Sequence, residues 1–235
     1  MSKRIIAMVP ARAGSEGLRD KNIRPLAGVP LIAHSIRPAL ECTGISQTYI
    51  NSDSSKYLEI GETAGARPYR RPDDLGQSQT TMQAVVSEFI HTLRGRGEEF
   101  EAVLVLYPTY PFRTPDLLGD IVDYYLKTPD CHSVIGLKQP ETHPYLCALH
   151  QADGGIKTFL DYDVDKYYRR QDYPECYQFT AWAMVINADH VDGLNAQMMS
   201  PKSVGYVVPD TVRIVDIDTD IDFYFAEFLL EKHYV

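Results

Sequence analysis

The stretch Pro10–Asn22, PARAGSEGLRDKN, gathers residue types that suit an anionic ligand. Gly14 and Gly17 let a backbone approach closely, Ser15 adds a hydroxyl, and Arg12, Arg19 and Lys21 add fixed positive charge. Backbone N–H donors and cations around a concave loop are what a polyphosphate requires. The loop is neither GxxxxGK[ST] nor GxGxxG, so on its own it reads equally as a phosphate cradle or a solvated loop.

A second stretch, Arg213–Asp222, reads RIVDIDTDID. Residues two apart on a strand share a face, so Asp216 and Asp218 would stand side by side. Such a pair is costly without a cation, and Mg²⁺ held by one or two carboxylates, water and substrate phosphate fits it. Asp220 and Asp222 have a plainer reading. Thr219 with Asp222 three residues later resembles a capping box opening the last helix, where acids favour the positive end of the dipole. The basic loop and the paired aspartates together imply a nucleoside triphosphate with Mg²⁺.

The elements that must position these segments alternate. Arg4–Val9, Thr48–Ile50, Ala102–Tyr107 and His132–Leu137 read as strands. Pro30–Glu41, Lys56–Ala64, Thr80–Arg94 and Pro115–Leu126 carry helical spacing. Pro30 suits a first helical position, whereas Pro38 conflicts with the helix interior. Phe179–Ile186, Val204–Val208 and Val212–Ile217 read as further strands, and Asp220–His233 as a closing helix. This order predicts an α/β fold around a mostly parallel sheet, with the loop after the first strand at the sheet's carboxyl end, where such folds bind ligands. Residues 140–178, rich in Tyr, Asp, Pro and Arg, break the rhythm and read as an insertion within a single domain spanning 1–235.

Composition narrows the partners. The 235 residues carry 23 Lys plus Arg against 32 Asp plus Glu, a net charge of −9, which disfavours nucleic acid and anionic membranes as partners. The Ala102–Tyr107 run is far short of the roughly 20 residues a spanning helix needs. Ile5–Val9, behind Lys3 and Arg4, is too short for a signal-peptide core. Cys42, Cys131, Cys147 and Cys176 form no CxxC pair and read as small buried hydrophobes in a reducing cytoplasm. The histidines form no zinc pattern.

ARAGSEGLRDKN resembles the signature loop of the cytidine monophosphate–sialic acid synthetases, or acylneuraminate cytidylyltransferases, usually read as ARxGSKGLxxKN. The resemblance continues through Asn51-Ser-Asp53, Arg71-Pro72, Tyr107–Arg113 (YPTYPFR) and Asp216–Asp222, in the family's order. It implies a Rossmann-like nucleotidyltransferase fold of three layers, with an inserted segment near 140–178 serving as lid or dimerisation arm. It further implies transfer of CMP from CTP to the anomeric hydroxyl of a 2-keto-3-deoxy sugar acid, with Mg²⁺, in a cytoplasmic homodimer. Carried over by position, Arg12, Gly14, Ser15, Lys21 and Asn22 would hold the triphosphate, with Ala11 and Ala13 near the base through their backbone. Arg71 and Thr80 or Thr81 would complete the nucleotide pocket, and Asp216 and Asp218 would bind the metal. Arg12, Lys21 and the metal would neutralise charge on the departing pyrophosphate. The base for the sugar hydroxyl stays open between Asp218 and a metal-bound hydroxide. Arg169 or Arg170 would face the sugar carboxylate, or else form a solvated surface pair.

Three departures bear on the acceptor. Glu16 replaces the loop's usual Lys. The family's LQPTSPLR has Tyr107 in place of Gln, Tyr110 in place of Ser and Phe112 in place of Leu. Its Asn-Gly-Ala falls on Ala181-Trp182-Ala183. Tyr107, Arg170 and Trp182 are therefore the candidate acceptor residues, with core filling as the plainer role for Trp182. The acceptor expected is a sugar acid other than N-acetylneuraminate, such as legionaminic or pseudaminic acid. The alternatives are a nucleotidyltransferase using another base or a sugar phosphate, and a non-catalytic nucleotide-sugar binder.

Overall fold

A computed structural model of the chain describes residues 4–14, 18 and 20–235. Ile5–Pro10 (β1) is buried at every position, as a strand covered on both faces must be. Pro25–Leu26 (β2) and Val29–Pro30 (β3) form a two-residue hairpin. Beyond it, β1 pairs in parallel with Ile45–Ser52 (β4) and with Ala102–Val105 (β6), and β4 in turn with Arg67–Arg70 (β5). Ser133–Lys138 (β7) also joins the sheet. Ala148–His150 (β8) and Ile156–Thr158 (β9) form a separate hairpin. Gln178–Asn187 (β10) runs antiparallel between β6 and β7, and Ser203–Val207 (β11) closes the edge in parallel with β7. The seven-stranded order is β11-β7-β10-β6-β1-β4-β5.

Alternation along β1 sorts the core into two layers. Ile5, Ala7 and Val9 meet Ala33–Glu41 (α1), Ser55–Thr63 (α2) and Pro115–Lys127 (α4) on one face. Ile6 and Met8 meet Val85, Val86, Phe89 and Ile90 of Met82–Gly95 (α3) on the other. This is the expected three-layer architecture. Asp220–Glu231 (α5) packs Phe223 and Ala226 against Leu18, Leu26, Leu31 and Ile217 in a smaller third cluster.

Side-chain caps open α2 to α5, whereas Ile32 precedes α1 without one. Ser54, Thr81 and Thr114 accept from backbone amides at the openings of α2, α3 and α4, and Pro115 takes the first turn of α4. Thr219 and Asp222 form the full capping box expected for α5. Three expectations change. Pro30 lies in β3 and α1 begins only at Ala33, yet runs through Pro38 to Glu41. Val212–Ile217 joins no sheet, although the Ile217 N–H donates to the Thr109 carbonyl at 2.9 Å. Cys42 and Cys131 are buried as expected, but Cys147 is exposed and Cys176 partly so.

The irregular middle carries the separate β8–β9 hairpin. Its hairpin sits on stacked aromatic side chains, Tyr145 on Tyr162 at 3.8 Å with His143 and Tyr173 beside them. Leu149, Ile156 and Phe159 face outward, Ile156 with 79% of its surface exposed.

Candidate active site

The chain leaving β1 is tied to the carboxyl end of β4. Ala11 N–H donates to the Asn51 carbonyl at 2.9 Å, and Ala13 N–H to Asp53 Oδ1 at 2.8 Å. Asn22 Nδ2 donates to the Arg12 carbonyl from across the loop, 3.3 Å. Gly14 turns at φ +74°, a left-handed conformation that a side chain would strain. Arg71, almost fully buried, donates through Nε to Asn51 Oδ1 at 2.7 Å. Burial lowers its pKa, partly offset by the Asp53 carboxylate. Asn51 and Asp53 are thus the posts on which the loop and Arg71 hang.

Lys21 lies in a 3-10 turn, its side chain 13% exposed. Its Nζ donates to the Ile217 carbonyl at 3.0 Å and to Asp218 Oδ1 at 2.6 Å. Asp216, on the other side of buried Ile217, accepts from the Tyr110 hydroxyl at 2.7 Å. Burial, reinforced by that carboxylate, raises the Tyr110 pKa and keeps the phenol protonated. The two aspartates therefore do alternate with a buried residue, although no strand ladder enforces it.

Two cavities meet here. The first, about 540 Å³, is lined by Pro10, Arg12, Lys21, Asn22, Arg71 and Asp218, among others. That volume falls within the range of small-molecule sites. The second, about 310 Å³, is lined by Tyr110, Thr180, Ala181 and Gln197 with Met184, Met198 and Met199. Tyr107 and Met82 belong to both walls. Burial pushes the Tyr107 phenol up to about 12, so it is a neutral donor at the junction.

Of the residues singled out from sequence, Arg12, Lys21, Asn22, Arg71, Tyr107 and Asp218 line the first cavity. Ala11, Ala13 and Gly14 build its loop. Asp216 lines neither cavity; its partner Tyr110 lines the second. Ser15 lies outside the described residues, as do Glu16, Gly17 and Arg19. Thr81 caps α3, and Thr80 Oγ1 reaches the Asp74 carbonyl at 3.5 Å; neither lines either of these two cavities, and their neighbour Met82 lines both. Trp182 is fully buried, its indole N–H donating to the Phe112 carbonyl at 3.1 Å. It fills the core, and the cavity wall is made by Thr180 and Ala181 instead. Arg170 borders a different cavity in the irregular middle, with His143, Tyr173 and Glu175, while Arg169 pairs with Asp172. Sequence reasoning missed the anchoring roles of Asn51 and Asp53, although their place at the end of a parallel strand marks them. It also missed the methionine-lined annex, which no local pattern announces.

The model of the cytidylyltransferase family matches residues 6–223. The chain belongs to that family. This cytidylyltransferase is 29% identical over 230 residues to the CMP-N,N'-diacetyllegionaminic acid synthase of Legionella pneumophila, covering 97% of each chain. It is 29% identical to the N-acylneuraminate cytidylyltransferase of Escherichia coli O18:K1:H7, of which it spans about half, 53% of the length. The pseudaminic acid cytidylyltransferase of Campylobacter jejuni is 25% identical over 232 residues, with 97% of each chain covered. Among solved structures, a CMP:2-keto-3-deoxy-manno-octonic acid synthetase complexed with CTP superposes with a TM-score of 0.71 at 12% identity, over 98% of this chain and 100% of that one. The fold of this cytidylyltransferase is accordingly the Rossmann-like one of its relatives, and the chain is a nucleotidyltransferase.

Proposed function

We propose that this cytidylyltransferase transfers CMP from CTP to the anomeric hydroxyl of a 2-keto-3-deoxy sugar acid of the nine-carbon class, with release of pyrophosphate. The observation that supports this best is the shared wall. A cavity carrying Arg12, Lys21, Arg71 and Asp218 opens past Tyr107 and Met82 onto a second one whose walls carry no charged side chain. The first suits a triphosphate and the second an acceptor bearing apolar substituents. Relatives named for legionaminic, pseudaminic and N-acylneuraminic acids point to the same acceptor class.

The sugar hydroxyl oxygen attacks the α-phosphorus, its proton passing to Asp218 or to water, as the bond to pyrophosphate breaks, so charge accumulates on the departing oxygens. Arg12 and Lys21 stand where they can neutralise it, and such preorganised contacts supply most of the catalysis in this chemistry. Lys21 has three N–H donors, two of them held by Ile217 and Asp218, which leaves one for a phosphate oxygen. Tyr107, neutral and at the junction, can donate to the acceptor.

We assign Mg²⁺ to Asp216 and Asp218. The donor set fits: two exposed carboxylates flanking a buried residue offer hard oxygen ligands, and no larger cluster of acidic or histidine ligands occurs among the described residues. The metal would supply charge neutralisation on the phosphates. The exposed apolar hairpin β8–β9 supports a homodimer, and use of CTP supports a cytoplasmic site of action. No helix among the described residues is long and apolar enough to cross a membrane.

The test is pyrophosphate release with CTP, GTP, ATP and UTP, each crossed against a panel of 2-keto-3-deoxy sugar acids, with and without Mg²⁺. Release with CTP and a nine-carbon acid is the expected result. Release only with another triphosphate, or only with a sugar phosphate, would overturn the reading.

A further inference from the structure

Arg113 closes the motif Tyr107–Arg113 yet reaches neither the triphosphate cavity nor the annex beside it. Its side chain is nonetheless buried, 7% of the residue being exposed. Every hydrogen-bond partner it has among the described residues is neutral. Nε donates to the Trp182 carbonyl at 2.7 Å, joined there by Nη2. Nη2 also donates to the Tyr107 carbonyl at 3.0 Å, and Nη1 to the Tyr110 carbonyl and to Ser35 Oγ, the latter at 2.9 Å. Burying a guanidinium without a carboxylate is expensive, and an apolar side chain would fill the same space more cheaply. What only arginine offers is a rigid plane of N–H donors.

The carbonyls it serves have a reason to be short of partners. β6 ends at Val105, and the loop after it contains Pro108 and Pro111, which have no N–H. Opposite, the β10–β7 register breaks: Thr180 pairs with Gly136 and Met184 with Ile135, so Ala181–Ala183 bulge out of the ladder. Gly136 lets the bulge sit close. A Cβ there would lie 2.9 Å from the Thr180 carbonyl oxygen and 3.1 Å from that of Ala183. The loop and the bulge are also the two sides of the annex, through Tyr107 and Tyr110 on one hand and Thr180 and Ala181 on the other.

We propose that Arg113 is a positioning residue for the acceptor: its fork of hydrogen bonds fixes the loop against the bulge, and so sets the width of the annex and the place of Tyr110 beside Asp216. The inference rests on the proposed transfer reaction for its kinetic consequence, and on geometry alone for its structural one. Burial lowers the Arg113 pKa to about 9, so the charged fork persists at neutral pH.

Arg113→Lys keeps the charge and loses the planar fork, and Ser35→Ala removes one contact without touching the arginine. Two readouts serve: steady-state kinetics with separate CTP and acceptor titrations, and acrylamide quenching of Trp182, the only tryptophan. Arg113→Lys should raise the acceptor KM and lower kcat by about tenfold or more, as expected for a reacting group displaced by a fraction of an ångström. CTP affinity should stay within about threefold, because Arg12, Lys21 and Arg71 are held by other segments, and Trp182 should become more quenchable. Ser35→Ala should move the same quantities in the same direction, less far, and decides the matter if Arg113→Lys does not fold. A lower melting temperature with unchanged acceptor KM, kcat and quenching would overturn the proposal. If the wild-type chain transfers CMP to no acceptor, the functional reading fails by itself, and unchanged quenching in Arg113→Lys would still overturn the positioning role.

Discussion

Lys21 Nζ donates to Asp218 Oδ1 at 2.6 Å, across 197 positions of sequence. The pair joins the residue expected to face phosphate with one expected to face metal. Asp218 is 68% exposed, so the pair contributes little to folding and much to the charge pattern of the cavity. Asp218→Asn should therefore leave the melting curve nearly unchanged while reducing pyrophosphate release by about 10³-fold, and Lys21→Ala should cost about 10²–10³. Stopped pyrophosphate-release assays with CTP and Mg²⁺ check both. Near-normal turnover of Asp218→Asn would refute the metal assignment.

The annex predicts a separation of effects. Ala181 lies on its wall and outside the lining of the triphosphate cavity. Ala181→Leu adds three carbons to the wall and should raise the acceptor KM by about tenfold or more, since one misfitting methylene in a pocket already costs roughly 10-fold. The CTP KM should not change. Parallel titration of both substrates reads this, and an equal rise in both would place the acceptor elsewhere.

His34 gives stability a pH dependence. Its ring is half-buried between α1 and the β2–β3 hairpin, with Nε2 against the Leu26 carbonyl at 3.1 Å. Burial lowers its pKa below the ordinary 6.5, outweighing that bond. At neutral pH and above, the ring is uncharged in both folded and unfolded chains, and its contribution is intact. As pH falls below about 6.5 the unfolded chain takes up the proton first, so stability is lost until the lowered folded pKa is passed. Thermal melts should decline through that window, and His34→Gln should flatten the decline. An unchanged slope would assign the dependence to other groups.

The outward face of the β8–β9 hairpin predicts association. A two-stranded hairpin is marginal alone, and Leu149, Ile156 and Phe159 stay exposed among the described residues. Sedimentation should return twice the 26.6 kDa chain mass. Ile156→Asp should shift the population toward monomer at micromolar concentration without altering the melting of the sheet domain. A wild-type monomer at high concentration would exclude the arm.

The parts of this protein readable from sequence are those whose physics is local. The buried run of β1, the basic loop behind it and the Thr219–Asp222 box each depend on neighbours within a few positions. Their side chains carry the same meaning in any fold that contains them. Val212–Ile217 shows the boundary of that rule. Its alternation of apolar and polar residues is real, and it does present Asp216 and Asp218 about a buried Ile217, yet no strand lies beside it to make a ladder. Periodicity reports which face is buried, whereas pairing depends on what the rest of the chain brings alongside.

Tertiary structure alone decided the remainder. Which carboxylate meets Lys21, why Asn51 anchors Arg71, and where Trp182 goes are set by contacts between distant segments. Trp182 is the clearest instance. Its place in the order of motifs suggested an acceptor contact, but the bulge in β10 turns its indole into the core and gives the cavity wall to Thr180 and Ala181. The cause is a register shift of the kind a strand shows only against its partner. The residue types marked an α/β fold with a polyphosphate-suited loop; the long-range packing of a loop against a bulge determined the shape of the annex beside it.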